Sequence, residues 1–477
     1  MVPFLVTFRT GCQTTRVSAG LWALGMAGTL LQVDPRLHFP AFLVAIDTAT
    51  VGWLGWVVSP GARAQEPGLQ VGLPTWAPWV AVAAGGLVRA VAIAQPPGFS
   101  GDLFRHVYEG QVVWSQGWTF PYRVAPAEAP AAGVPEGLLG ADWQRVNHPE
   151  LATLYPPVTQ GAMALAGGLS LATGLPGTAA VKLVLVGAET AGVVILARWV
   201  SPRLALGWWL CPWAVWEIAR EGHADGLAAV GYAVALAAAR GHRWTGAFAG
   251  FGVAIGAKLH GIVGFWALAW ARRSGVAAGV GAAVLALAVG ASRLGGTDDG
   301  LTAYATRWEA NAGLYAGLEA LARGFLGGEW TRWAGFTVTV DGVARALAGL
   351  LFAGVVAWDL RWATPGSVVF RVGHWLLGLL LLSPTVHPWY TLWLLPFWLL
   401  PEDPAGGRSW RPSAGTLAAL TAAPLLHLPS AIEATSGRWS EWPALAWGVH
   451  GLLAVGWGID ALRHAPRTLR HAPRAID

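Results

Sequence analysis

Long apolar runs recur from one end of the chain to the other, divided by short polar stretches rich in arginine, glycine and proline. The runs are continuous rather than alternating, which predicts helices in lipid and not the strands of a barrel. They fall at 17–33, 40–58, 76–95, 156–173, 179–198, 204–217, 224–240, 244–257, 260–271, 275–291, 341–358, 365–382, 389–401, 414–428 and 441–461. Several are shorter than the roughly 20 residues of a full span. The expected fold is all-α: a polytopic transmembrane helical bundle of about 12–15 membrane segments, some short or broken. One integral domain, 1–477, would hold three segments (17–95), a polar outer loop (96–155), the remaining segments (156–461) with a second outer loop (293–340), and a basic cytoplasmic tail (462–477).

Arginine placement orients the segments, because cytoplasmic loops retain positive charge. Arg9, Arg16 and Arg63 place the N-terminus and second turn inside; Arg361, Arg408, Arg411, Arg463, Arg467, Arg470 and Arg474 do the same for the C-terminal part. Arg198, Arg203, Arg240, Arg243, Arg272 and Arg273 also prefer the inside. The loops 96–155, 293–340, 383–388 and 429–440 then face out, together with Glu217 to Asp225 and Lys258 to His260. Both ends lie inside although the segments are odd in number. The conflict falls between 156 and 198, which is read as one net crossing with 156–173 partly buried or broken, as protein-lined cavities allow. No small-residue cleavage site follows 17–33, so an uncleaved signal anchor is expected.

Composition agrees with this picture. Of 477 residues 55% are hydrophobic and only 12% charged, about half the charge of a soluble chain. The net charge of +5 is not gathered into a basic stripe, so nucleic acid is excluded as a partner. Cys12 and Cys211 stand alone, which excludes a disulfide framework. Only two of the 31 lysines and arginines are lysine, Lys182 and Lys258, and both lie in apolar segments. A charge there costs about 3 kcal/mol on insertion scales unless the side chain reaches the interface.

The first polar loop opens with Gly101-Asp102-Leu103-Phe104-Arg105-His106-Val107-Tyr108-Glu109-Gly110. With Ser100 as cap, Asp102, Arg105, His106 and Glu109 share one helix face. That face is either a solvated side of a surface helix or a catalytic one with Asp102 as base. Further on come Val146-Asn147-His148-Pro149 and Tyr155-Pro156-Pro157, where Tyr155 is either a belt aromatic or a substrate contact. In Glu217-Ile218-Ala219-Arg220-Glu221-Gly222-His223-Ala224-Asp225, four side chains offer oxygen and nitrogen ligands for a divalent metal, and His223 with Asp225 is the expected pair. Lys258 with His260 suits an anion such as phosphate. Ser383-Pro384-Thr385-Val386-His387-Pro388-Trp389-Tyr390 sets His387 between prolines at an apolar boundary.

The order of Gly-Asp-x-x-Arg-His-x-x-Glu-Gly, Pro121-Tyr122 and Tyr155-Pro156-Pro157 resembles the opening of polyprenol-phosphate-mannose-dependent mannosyltransferases of the GT-C class. The bacterial glycosyltransferase family 87 type is the nearest in pattern. The likeness continues through Glu217…Gly222-His223-Ala224-Asp225, Lys258, Tyr304…Trp308-Glu309-Ala310-Asn311 and Ser383 to Tyr390, and so covers about residues 75–400. Two positions depart from the pattern: Glu109 replaces the usual aspartate, and Ala224 the usual asparagine of a His-Asn-Asp element.

The resemblance implies a polyprenyl-phosphate hexose donor, most simply mannose, and a glycan or glycolipid acceptor, at the outer face of a bacterial plasma membrane. Asp102 would be the base of a single inverting displacement. Arg105, Lys258 and His387 would meet the lipid phosphate, with His260 beside Lys258 and with Tyr155 and Tyr390 as substrate contacts. Glu109, His223 and Asp225 would position sugar hydroxyls or one another. No metal ligand set is closed. The competing expectation is a multispanning transporter or flippase, which would also use intramembrane charges but would not need the acidic-basic helix of the outer loop.

Overall fold

A computed structural model describes residues 11–32, 34–57, 77–292, 294, 300–333, 336–362, 368–400 and 414–464. The chain is an all-α helical membrane bundle. Five of its described helices are both long and apolar enough to cross a membrane. Arg9, Arg63, Arg408, Arg411 and the tail beyond His464 lie outside the described residues. The last helix runs Pro443–His464, so 462–464 belong to it and not to a tail.

Three helices come first: Gly11–Leu30, Phe39–Val57 and Ala77–Ala94. The polar loop then folds as a helix, Asp102–Gln116, and short turns at Phe120–Arg123, Pro126–Glu128, Glu136–Leu138 and Ala141–Gln144. The next helix, Pro157–Thr173, starts where Pro156 and Pro157 need no backbone donor and stops at Gly174 in the left-handed region. It is neither broken nor a pass through the bundle. Thr159 Oγ1 near its start donates to the Ala257 carbonyl at 3.0 Å, beside Lys258, and the residue that opens the following helix, Gly177, lies against Val107. Both of its ends therefore stay level with the Asp102–Gln116 helix. The pass is made by Gly177–Trp199, so the expected single net crossing rests on a helix that remains at one end.

The broken helix lies further on. The run expected at 204–217 is Pro202–Trp209, then Pro212–Ala214, then a π-helical turn at Val215–Arg220. Prolines at 202 and 212 start each piece, and Gly222 ends the last with φ +76. A Cβ at Gly222 would stand 2.7 Å from the Leu103 side chain, so left-handed backbone and crowding both favour glycine. Asp225–Arg240, Trp244–Ala257, Gly261–Ala271 and Gly275–Ser292 follow as antiparallel neighbours. The outer loop expected at 293–340 contains helices Gly300–Arg307 and Gly313–Leu326 and a hairpin pairing Trp330–Trp333 with Phe336–Thr339. Val340–Trp362 and Val368–Leu382 lead to a 3₁₀ stretch, Pro388–Leu394, that runs into Leu395–Leu399. The helix pair Ala414–Ala422 and Leu428–Ser436, joined by a 3₁₀ turn, reaches well into the expected 429–440 loop.

Two features hold the bundle around the outer loop. The Asp102–Gln116 and Pro157–Thr173 helices cross at Gly110 and Gly167, where a Cβ on either would strike the other's backbone. Asn311 braces three segments at one end of the bundle: its Nδ2 donates to the Val386 and Leu426 carbonyls at 3.2 Å each, and its N–H to Glu441 at 3.1 Å.

Candidate active site

A cavity of about 540 Å³ opens at the end of the bundle where these segments meet. Asp102, Tyr155, Lys258, His387, Tyr390 and Trp308 line it, from five separate stretches of chain. Sequence-distant clusters that arginine placement put on one face do meet at one end.

Asp102 is the first residue of its helix. Gly101 is the cap, and Ser100 helps from one position earlier by accepting the Asp102 N–H at 3.2 Å. The carboxylate accepts Asn147 Nδ2 at 2.5 Å and the Tyr155 hydroxyl at 3.4 Å. Burial opposes its ionisation. The electrostatic pull of His223 and His106, the Asn147 hydrogen bond and the pull of His387 outweigh burial and hold the carboxyl below the ordinary aspartate range. Burial pushes His106 and His387 each down to about 4, against the pull of Asp102. Both imidazoles are therefore neutral at pH 7, and their charge reinforces Asp102 only once acid has protonated them. Asp102 is ionised at neutral pH, as a base must be. Burial, with the nearby Asp102 charge, keeps the Tyr155 phenol well above its usual range, a neutral donor.

The rest of that helix face is not solvated. Arg105, His106 and Glu109 are all buried, which excludes a helix lying on the surface with a wet face. Arg105 lines the cavity, but most of its donors are already engaged. Its guanidinium donates to the carbonyls of Asn147 (2.7 Å), His148 (2.6 Å) and Leu151 (3.1 Å) and to Glu109 (3.2 Å). It ties the loop to the helix, and few of its donors remain for a phosphate. Glu109 sits beneath, accepting from Thr153 at 2.9 Å and Gln160 at 2.5 Å, and does not line the cavity.

Lys258 caps the Trp244–Ala257 helix at the cavity wall. Its ammonium lies 3.3 Å from Asp225 and over the rings of Tyr155 (5.3 Å) and Tyr390 (5.6 Å). Tyr390 is hydrogen-bonded to Tyr304, and Trp393 Nε1 donates to Asp225 at 2.9 Å. The expected Lys258–His260 pair does not form. His260 turns away, bonds the Tyr232 hydroxyl at 2.6 Å and packs on Trp393. His387 is in the cavity, with its ring parallel to Trp389 at 4.5 Å.

The acidic cluster also pairs differently from expectation. His223 Nδ1 bonds Glu217 at 2.6 Å rather than Asp225, and the same carboxylate bonds His427 Nε2 at 3.0 Å. Glu221 accepts the backbone N–H groups of Gly98 (2.7 Å), Phe99 (3.0 Å) and Ser100 (3.1 Å). With Glu217 and His223 bonded to each other, Glu221 on backbone N–H groups and Asp225 on Lys258 and Trp393, the four do not converge on one metal. Among the described residues, the acids whose ligand atoms do come within 4.8 Å of one another are Glu309, Glu319 and Asp341. Asp341 there is already paired with Arg345 at 2.7 Å and with the Tyr315 hydroxyl at 2.6 Å.

Three contributors escaped the sequence reading. Asn147 was visible only as part of a loop motif. Trp393 and His427 sit inside apolar runs and carry no local signal; their partners are 168 and 210 residues away. Compared with known proteins, the chain matches no family model, no curated protein and no solved structure.

Proposed function

We propose that the chain is a membrane glycosyltransferase that moves a hexose from a polyprenyl-phosphate donor to a hydroxyl of a glycan or glycolipid. The observation that carries this reading is that the carboxyl of Asp102 and the side-chain nitrogen of Lys258 share one aromatic-walled cavity. Asp102 takes the acceptor hydroxyl's proton as the oxygen attacks the anomeric carbon. The bond from that carbon to the phosphate oxygen breaks, and its electron pair leaves with the lipid phosphate. Lys258 faces that developing charge, while the neutral His387 and Tyr155 donate hydrogen bonds to it or to the sugar. Attack opposite the leaving group inverts the anomeric centre. Tyr390, Trp308 and Trp389 offer flat faces to sugar rings. Asp225 and Trp393 hold Lys258 in place, and Glu217 holds His223.

The test is incubation of the purified protein in lipid with radiolabelled polyprenyl-phosphate mannose, related hexose donors and candidate acceptors. Transfer of label to an acceptor, lost in Asp102→Asn, is the expected result. Movement of unaltered lipid or solute across the bilayer without transfer would instead establish a transporter. Cysteines placed near Glu128 and Trp308 should label from outside intact cells, which fixes the side of the cavity.

A further inference from the structure

A second cavity, of about 640 Å³, lies far from the first, between the Gly261–Ala271 and Gly275–Ser292 helices. The first of these helices starts three residues after Lys258 and is eleven residues long, so its far end is roughly 16 Å from the catalytic level. Trp266 and Trp270, one turn apart, form one wall and are 46% and 47% exposed. Ala278 and Ala282, one turn apart on the facing helix, form the other. Small residues against two indoles leave an apolar slot open to the side.

The mouth of the slot is cationic. Arg273 lines it, in the left-handed conformation at φ +49, and its guanidinium has no partner among the described residues. Arg272 next to it lies over the Trp244 ring at 4.6 Å, and Arg243 over Trp199 at 4.8 Å. No acidic residue occurs in the chain between Asp225 and Asp298, so these two helices carry no acid of their own to neutralise this end. The short helix also covers only about half of a hydrocarbon core of about 30 Å. A cation near its end gains from a phosphate brought down to it.

We propose that this groove binds an anionic glycerophospholipid of the arginine-rich leaflet, with an acyl chain between the tryptophans and alanines and the headgroup phosphate on Arg273. A zwitterionic lipid fills the slot equally but returns a positive charge to the same place. Selectivity therefore comes from the arginines, at about fivefold per cation at a membrane surface, and retention comes from the slot. The site is independent of the glycosyl-transfer reading, since none of its residues touches the catalytic cavity.

The experiment is native mass spectrometry of the full chain in detergent, with phosphatidylglycerol or phosphatidylcholine added at equal concentration. The wild type should retain phosphatidylglycerol at least about fivefold over phosphatidylcholine. Arg273→Gln should bring the two lipids close to equality. Ala278→Phe fills the slot and should reduce retention of both. Both positions line the slot, and a far-ultraviolet spectrum unchanged from wild type shows that the bundle is intact. Equal retention of the two lipids by the wild type overturns the proposal, as does undiminished retention in Ala278→Phe, which would leave only a loose annulus around an arginine belt.

Discussion

The two lysines of the chain stand in two regions built from the same residue types and put to opposite use. Around Lys258, the ammonium has one carboxylate partner, Asp225, and two aromatic rings, and it still lines an open cavity with Asp102 across from it. Around Lys182, the charges of Lys182, Glu221, Arg89 and Glu189 are closed onto protein. Lys182 is fully buried and donates to the Gln95 and Ala92 carbonyls at the end of the Ala77–Ala94 helix, at 2.5 and 3.5 Å. Glu221 is consumed by three backbone N–H groups. Arg89 and Glu189 form a bidentate pair at 2.8 and 2.6 Å, with Trp208 as a further donor at 3.0 Å. The Lys182 region stitches helix ends together, and snorkelling to the interface is not its role. The Lys258 region keeps unspent valence where a ligand can reach it. Charge inside a membrane bundle marks function only where its hydrogen-bonding capacity is not already used up.

The largest effect that tests this contrast is at Asp102. Asp102→Asn keeps the size and the bonds to Asn147 and Tyr155 but cannot take a proton. Turnover should fall by about 10² to 10⁴, the usual scale for loss of a general base, with donor binding nearly intact. If the residue were only a helix cap, asparagine would serve as well and turnover would be close to normal. Glu109→Gln should cost less turnover, because Glu109 holds Arg105 and Gln160 and does not reach the cavity.

The sequence made the helices legible because each is a continuous apolar run, and most observed bounds fall within a few residues of the runs. Helix periodicity alone did not separate Asp102 from Glu109; their different roles came with the resemblance. The two share a helix face at i and i+7, and only the partners brought in by the 147–160 segment decide which is open and which is closed. The Lys258–His260 and His223–Asp225 pairs did not form for the same reason: neighbours in sequence were taken as neighbours in bonding, whereas buried polar groups take their partners from other helices. The segment 156–173, expected from a charge count to be partly buried or broken, is partly buried, whereas the break falls in 204–217, where the prolines at 202 and 212 were the physical signal for it.

The next effect belongs to the closed region. Arg89→Leu strands Glu189 as an unpaired buried charge and should destabilise the protein by about 3–5 kcal/mol. A fall in the thermal unfolding midpoint in detergent measures this. Adding Glu189→Leu should restore most of it, since removing both charges of a buried pair is far cheaper than removing one. Recovery of nothing would mean that the pair does more than stitch helices.

The lysines themselves should separate in kind. Lys258→Ala removes a charge-assisted contact and should weaken donor binding by about tenfold to a hundredfold. Lys258→Arg should recover part, because a planar fork replaces a point charge. Lys182→Met should leave donor affinity unchanged and lower stability by about 1 kcal/mol through the lost carbonyl bonds. Equal loss of donor affinity in Lys258→Ala and Lys182→Met would erase the distinction between the regions.

The smallest effect is on pH dependence. Asp102 is held below the ordinary aspartate range, so turnover should stay flat from neutral pH well into acid and fall only as Asp102 takes up a proton. Asn147→Ala removes one of the interactions that holds the carboxyl down. Its pKa should rise toward the ordinary value, and the acid limb of kcat/KM should move to higher pH while the neutral plateau changes little. Stability carries a related sign. A depressed carboxyl contributes stability above its unfolded pKa of about 3.9 that is lost as pH falls through its folded value. His106 and His387, each near 4 when folded, bind protons in the unfolded chain first, between the ordinary histidine value of about 6.5 and about 4. Across that window the unfolded state holds more protons, so stability must fall as pH falls. His387→Gln should flatten this slope, since glutamine has no proton to gain. An acid limb that does not move in Asn147→Ala would mean that the Asn147 bond does not tune the base, and that the limb belongs to another group in the cavity.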